Sequence, residues 1–180
     1  MGFRIIYFFL VIIIIGCDNR SKRVRSTELD FAKNYIQGEI GILENANLTL
    51  TKNLDYKDRV ETIIEKNPNW KKELIPFTET LLNESTGFHS YQKDSITNGA
   101  SKIISLKSTD AASTIKSLQL YSTKNINDSL IMILQVSNSY YKSADTLSYY
   151  GNGNFRIKTE NLPGIGKKLG FILEGKTTLN

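Results

Sequence analysis

The sequence predicts an α+β fold, with N-terminal helices packed on a C-terminal antiparallel meander of five or six strands. Three observations point there. Over residues 27–83 apolar side chains recur at spacings of three, four and seven, the signature of one-sided helices. From about residue 88 that period gives way to runs rich in Ser, Thr, Tyr and Ile, broken by turn residues roughly every ten positions. Between two of those runs stands Asn152-Gly153, a pair suited to the positive φ angles of a two-residue hairpin turn.

The first helix opens at Thr27-Glu28-Leu29-Asp30, with Thr27 as its cap and an acidic residue three positions on. Leu29, Ile36, Ile40 and Leu43 then fall on one stripe, widened by Phe31 and Tyr35. Gly38 and Gly41 lower its intrinsic propensity and would permit close approach of a neighbour. A turn is expected within Asn45–Asn53. A second helical pattern runs through Tyr56, Val60, Ile63 and Ile64 and stops at Asn67-Pro68, since a residue before proline avoids the α region. The same pair would cap a third helix, with Trp70, Leu74, Phe77 and Leu81 inward and a kink or early end at Pro76.

Strands are expected at Ser101–Lys107, Ala112–Tyr121, Leu130–Val136, Thr146–Tyr150, Phe155–Thr159 and Leu169–Thr177. A two-residue turn at Asn152-Gly153 would set Tyr150 opposite Phe155 and Ser148 opposite Ile157. Leu130-Ile131-Met132-Ile133-Leu134 has no polar alternation, so this strand should be central and covered on both sides. A sheet curved round the helices would be similar to the cystatin or NTF2 type of fold.

The N-terminus carries a different kind of information. Arg4 precedes an apolar core from Ile5 to Ile15, 11 residues long, closed by Gly16 and followed at once by Asp18-Asn19-Arg20. A helix needs about 20 apolar residues to cross the hydrocarbon layer, so this run is too short for a permanent span and has the layout of an export signal. Gly16 stands before Cys17, the one cysteine of the chain. The arrangement resembles the lipobox of bacterial lipoproteins, with Ile14 where that family usually has Leu. The resemblance implies a diacylglyceryl group on the Cys17 thiol, cleavage just before it, and membrane lipid as the first partner. Two or more acyl chains suffice to hold a protein on a bilayer.

The chain then divides into a signal peptide (1–16), a lipidated cysteine with a basic tether (17–26) and a single α+β domain (27–180), helical over 27–83 and β over 88–180. Arg20, Lys22, Arg23 and Arg25 in the tether would be drawn to anionic head groups. The net charge of +5 is concentrated there and in Arg4, so the domain itself does not argue for nucleic acid.

Catalytic groups are scarce. His89 is the one histidine, and with Cys17 acylated no thiol is left as a nucleophile. No G-x-S-x-G elbow presents a serine, and a single histidine is a poor start for a zinc site. Glu61 with Glu65, and Glu79 with Glu84, are carboxylate pairs, but they fall on the polar side of helical patterns and read as solvated. Leu162-Pro163-Gly164-Ile165-Gly166-Lys167-Lys168 resembles the hairpin of the helix-hairpin-helix DNA-binding family, yet strand-like runs flank it, so a β-hairpin loop is expected. Tyr140, Tyr141, Tyr149 and Tyr150 form the one feature suited to a binding surface, because tyrosine fits sites where the ring packs and the hydroxyl stays wet. Adjacent tyrosines in a strand point to opposite faces, so about half of them are expected in the core.

The expectation is therefore a lipid-anchored cell-envelope protein with a non-catalytic binding or assembly role. An envelope protein is its expected partner; no cofactor, metal or nucleic acid is expected. Asp18 resembles the inner-membrane retention signal of enteric bacteria, but the Asn-, Ile- and Lys-rich composition suggests an AT-rich lineage and favours the outer membrane. The alternatives are a periplasmic carrier holding a small apolar ligand between helices and sheet, and a carboxylate-dependent hydrolase.

Overall fold

The stripe on residues 29–43 dictates the first element. Helix α1 (Thr27–Glu44) buries Leu29, Ala32, Ile36, Ile40 and Leu43 and turns Phe31 and Ile42 outward. Gly38 and Gly41 lie on its open side with nothing within 4 Å of an added Cβ, so they do not serve the close packing expected of them. The computed structural model describes residues 27–57, 59–87, 89–124, 126–137, 141–163 and 168–179. The expected signal segment, Cys17, the tether and Tyr140 lie outside these.

After α1 the chain departs from expectation. Instead of a second helix it forms a hairpin, β1 (Leu48–Tyr56) and β2 (Arg59–Lys66), paired from Thr49–Lys66 to Tyr56–Arg59 without a register shift. The physical reason is in the side chains: Val60, Thr62, Ile63 and Ile64 are β-branched and fit a pleated surface better than a helical turn. Lys57 and Asn67, both at positive φ, end the two strands. Asn67 and Pro68 therefore do not cap the next helix. That role falls to Asn69, whose side chain accepts from Lys72 N at 3.0 Å to start α2 (Trp70–Glu73). Pro76 acts as expected, ending the run early: α2 stops and α3 (Ile75–Thr86) begins with the proline in its first turn.

Seven further strands follow: β3 (Tyr91–Asn98), β4 (Ser101–Ser108), β5 (Ile115–Thr123), β6 (Ile126–Ser137), β7 (Tyr141–Tyr149), β8 (Phe155–Pro163) and β9 (Leu169–Leu179). All nine make one antiparallel sheet in the order β2-β1-β9-β8-β7-β6-β5-β4-β3. The meander from β3 to β9 runs in chain order, and β1 closes on β9. The fold is α+β with an antiparallel sheet, as expected. It has nine strands rather than five or six, and two of them lie inside the region expected to be helical.

The helices cover one face of this sheet. Leu54, Leu173, Ile157, Leu147, Met132, Leu118 and Leu106 stand side by side in register across seven adjacent strands. The row ends in charge at both margins, Glu61 on β2 and Lys93 on β3. Trp70, Leu74, Phe77 and Leu81 from α2 and α3 join the same core. Tyr35, Phe77, Tyr149 and Phe155 meet edge to face, at centroid separations of 5.9, 6.0 and 6.4 Å. The opposite face is open to solvent: Ile133 is 47% exposed. So β6, though internal in the sheet, is not covered on both sides.

The β7–β8 hairpin forms at the expected place with a different register. Tyr149 opposes Phe155 and Leu147 opposes Ile157. The connection is longer than two residues: Gly151, Asn152 and Gly153 all have positive φ, and Tyr150 N and Asn154 N bond back across it. A slip of one residue exchanges the two faces of a strand. Tyr149 and Leu147 therefore enter the core, while Tyr150 is turned out, 51% exposed.

Candidate functional site

Titratable side chains gather where the end of α3 meets the start of β3 and the loop between β4 and β5. Glu84 lies at the position of α3 that continues the Phe77–Leu81 stripe, so the helix carries its carboxylate inward. It is 4% exposed. Tyr91 donates its hydroxyl proton to Oε1 at 2.6 Å, Ser113 Oγ contacts the same oxygen, and Thr114 N–H donates to Oε2 at 3.1 Å. His89 stands beside them, with Nε2 3.8 Å from Glu84 Oε1 and Nδ1 3.0 Å from Asp110 Oδ2. Burial, and then the hydrogen bond to Glu84, push the Tyr91 hydroxyl well above the ordinary tyrosine range.

An Asp-His pair next to a serine invites a comparison with nucleophilic catalysis, and the geometry answers it. His89 Nε2 faces the Glu84 carboxylate. Ser113 is 1% exposed, enclosed by Glu84, Tyr91 at 3.0 Å and the Ile115 carbonyl at 2.7 Å. A serine nucleophile needs an approach for its substrate and a base on its proton, and Ser113 offers no approach. A Cβ at Gly87 would come within 2.4 Å of His89 Nε2, so the backbone of that residue roofs the imidazole. The two nitrogens of His89 also point away from each other, and one ion could not join Glu84 and Asp110 through them. Among the described residues no group of three His, Cys, Asp or Glu side chains is placed to hold a metal. The cluster is a polar bolt fixing the end of α3 to β3 and the β4–β5 loop.

The carboxylate pairs separate. Glu61 and Glu65 are not one helical turn apart; they share a face of the extended β2 strand with Ile63 between them. Glu65 is held with Glu73 by Lys52, at 2.8 and 2.9 Å. Burial works against the Lys52 charge, but the hydrogen bonds to the two carboxylates outweigh it and bind the proton more tightly than on an ordinary lysine. Glu79 is exposed, whereas Glu84 is buried and not on the solvated face expected for it.

The tyrosines divide as well. Tyr141 is exposed at the start of β7, and Tyr150 is exposed just beyond its other end. Tyr149 is buried, donating to Glu39 Oε2 at 2.6 Å and accepting from Gly153 N–H at 3.1 Å. Burial and the Glu39 hydrogen bond hold its hydroxyl far above the usual range. Tyr149 thus locks α1 to the β7–β8 turn and does not share a surface with its sequence neighbours.

Among the described residues two further surfaces offer charged or apolar side chains. One is a shallow cleft lined by Asp55, Lys57, Lys158, Glu160, Lys168 and Phe171. Glu160 bridges Lys158 and Lys168, at 2.8 and 2.6 Å, and these two hydrogen bonds lower its carboxyl to about 2. The segment likened to a DNA-binding hairpin reaches this cleft through Lys168. Strands flank it, β8 ending at Pro163 and β9 opening at Leu169, while residues 164–167 lie outside the described residues. The other surface is β2, at the margin of the sheet, with Val60 68%, Ile63 50% and Ile64 66% exposed. Sequence reasoning missed both β2 and the Glu84 cluster. The second was signalled by the spacing Phe77, Leu81, Glu84, which puts an acid on an apolar stripe.

No protein-family model matches the chain, and no curated protein matches its sequence.

Proposed function

We propose that this chain is a lipid-anchored envelope protein whose domain has a binding or assembly role and performs no catalysis. The observation that carries the reading is Cys17, the one cysteine, standing directly after an 11-residue apolar core and a small residue. The tether that follows ends where α1 begins, at Thr27, so nine residues separate the anchor from the first helix. Fully extended they reach about 30 Å, which lets the domain stand off the membrane. Basic residues in that tether would hold it near anionic lipid. The burial of Glu84 and Ser113 favours a structural use of the titratable groups over a catalytic one. The outer membrane is the favoured address.

The test is metabolic labelling of cells with a fatty acid, followed by separation of the membranes. The native chain should take up label and sediment with the outer membrane; Cys17→Ser should take up none and lose the association. An unlabelled native chain with a free thiol would sink the reading.

A further inference from the structure

We infer that β2 is a self-association edge, which joins two copies of this chain into one continuous sheet. The inner side of β2 is occupied by β1 over eight consecutive pairs, and among the described residues no strand lies on its outer side. Exposed strand margins are normally blunted by proline, bulges, short length or charged side chains. Residues 59–66 contain no proline and no glycine, and the β1–β2 register has no shift. What β2 carries is a charge pattern, and that pattern fits its own copy.

Directly opposed residues of an antiparallel pair point to the same face of the sheet. A two-fold axis normal to the sheet keeps every residue on its own face. Self-pairing must therefore centre on a residue and not between two. Centred on Thr62, Arg59 meets Glu65 and Val60 meets Ile64, each twice by symmetry, while Glu61 falls against Ile63. Moving the centre to Glu61 sets that carboxylate against itself. Moving it to Ile63 sets Glu61 against Glu65. Both shifts oppose like charges, which is unfavourable. The Thr62 register pairs opposite charges on one face and branched apolar side chains on the other. The second margin, β3, offers nothing comparable: its two charges, Lys93 and Asp94, are neighbours and lie on opposite faces, so no two-fold register brings them together.

The occupant is therefore a second copy, with the helical layers of both copies on the same side of an extended sheet. A single strand edge buries less than a standard stable interface, so the association is weak, with Kd of about 1–100 μM. The inference does not depend on the lipid anchor and is tested without it.

The experiment uses the full chain carrying Cys17→Ser, so that a cysteine introduced at β2 is the sole thiol. Thr62→Cys should form a disulfide with its own copy under mild oxidation. Val60→Cys and Ile64→Cys should each cross-link poorly alone and efficiently when mixed. Arg59→Glu in the Thr62→Cys chain should raise the Kd about tenfold or more, as two symmetry-related pairs turn repulsive. A monomer at high protein concentration would overturn the inference, as would cross-linking equal at all three positions. So would a Thr62→Cys chain that captures a strand of another envelope protein in cells and never its own copy.

Discussion

Glu84 brings a carboxylate into a place that water does not reach, and three donors from two different elements answer it. Removing it would leave the Tyr91 and Ser113 hydroxyls and the Thr114 N–H with a partner missing. A buried donor stripped of its acceptor costs about 1–3 kcal/mol, and hydrogen bonds to a charge are at the upper end. Glu84→Ala should therefore lower the unfolding free energy by about 3–4 kcal/mol. Glu84→Gln, which keeps shape and an acceptor oxygen, should cost about half of that; equal losses for the two variants in urea titrations would contradict the bolt. The residue was legible in principle, because Phe77, Leu81 and Glu84 keep helical spacing. What spacing could not convey is who meets it, since Tyr91, Asp110 and Ser113 arrive through the tertiary fold. His89 stands between Glu84 and Asp110, with a partner on each side.

Among elements, the β7–β8 turn shows how far a local signal reaches. Asn152-Gly153 marked the hairpin, and the hairpin is there. The register depended on whether the turn closed over two residues or more, and the pair alone does not decide that. Glu39 takes the Asn152 N–H at 3.2 Å and the Tyr149 hydroxyl at 2.6 Å, so helix α1 stabilises the longer turn. Gly153 has φ +78°, and a Cβ there would lie 2.6 Å from the Trp70 ring and 2.8 Å from Thr177 Cγ2. Gly153→Ala should consequently cost about 2–4 kcal/mol, from backbone strain together with overpacking. Thermal unfolding followed by tryptophan fluorescence would check it, and an unchanged midpoint would refute the contact. The β1–β2 hairpin was lost to sequence reasoning for a related reason. Tyr56, Val60, Ile63 and Ile64 fit a helical spacing, and only the β-branched side chains spoke for strand. Val60, Ile63 and Ile64 are exposed on a marginal strand, so no inside-outside alternation betrayed the period of two.

Across the whole molecule, three phenols, Tyr149 buried and Tyr35 and Tyr91 partly buried, tie the helices to the sheet and set a response to alkali. Tyr35 is pushed up by burial and then by the charges of Glu39 and Asp128; Tyr91 and Tyr149 by burial and their bonds to Glu84 and Glu39. Each holds its proton in the folded state above the ordinary value of 10.0. Below that pH both states are protonated and the stabilising contribution is complete. Above it the unfolded chain loses protons that the folded chain keeps, so stability falls as pH rises, with a slope of up to three protons. Denaturant unfolding at stepped pH should show this loss setting in near pH 10, and the share of tyrosinate absorbance due to Tyr35, Tyr91 and Tyr149 should appear together with unfolding. The α+β class was readable from the change of period along the chain. The nine-strand order was not, because β1 finds its neighbour in β9, at the other extreme of the sequence. That closure carries a consequence in time. Leu48 pairs with Leu179 and Tyr56 with Phe171, so the earliest strand has no inner neighbour until the last one has been made. Such distant pairing slows folding. A chain that emerges end first through a narrow channel cannot seat β1 between its two neighbours until β9 has appeared.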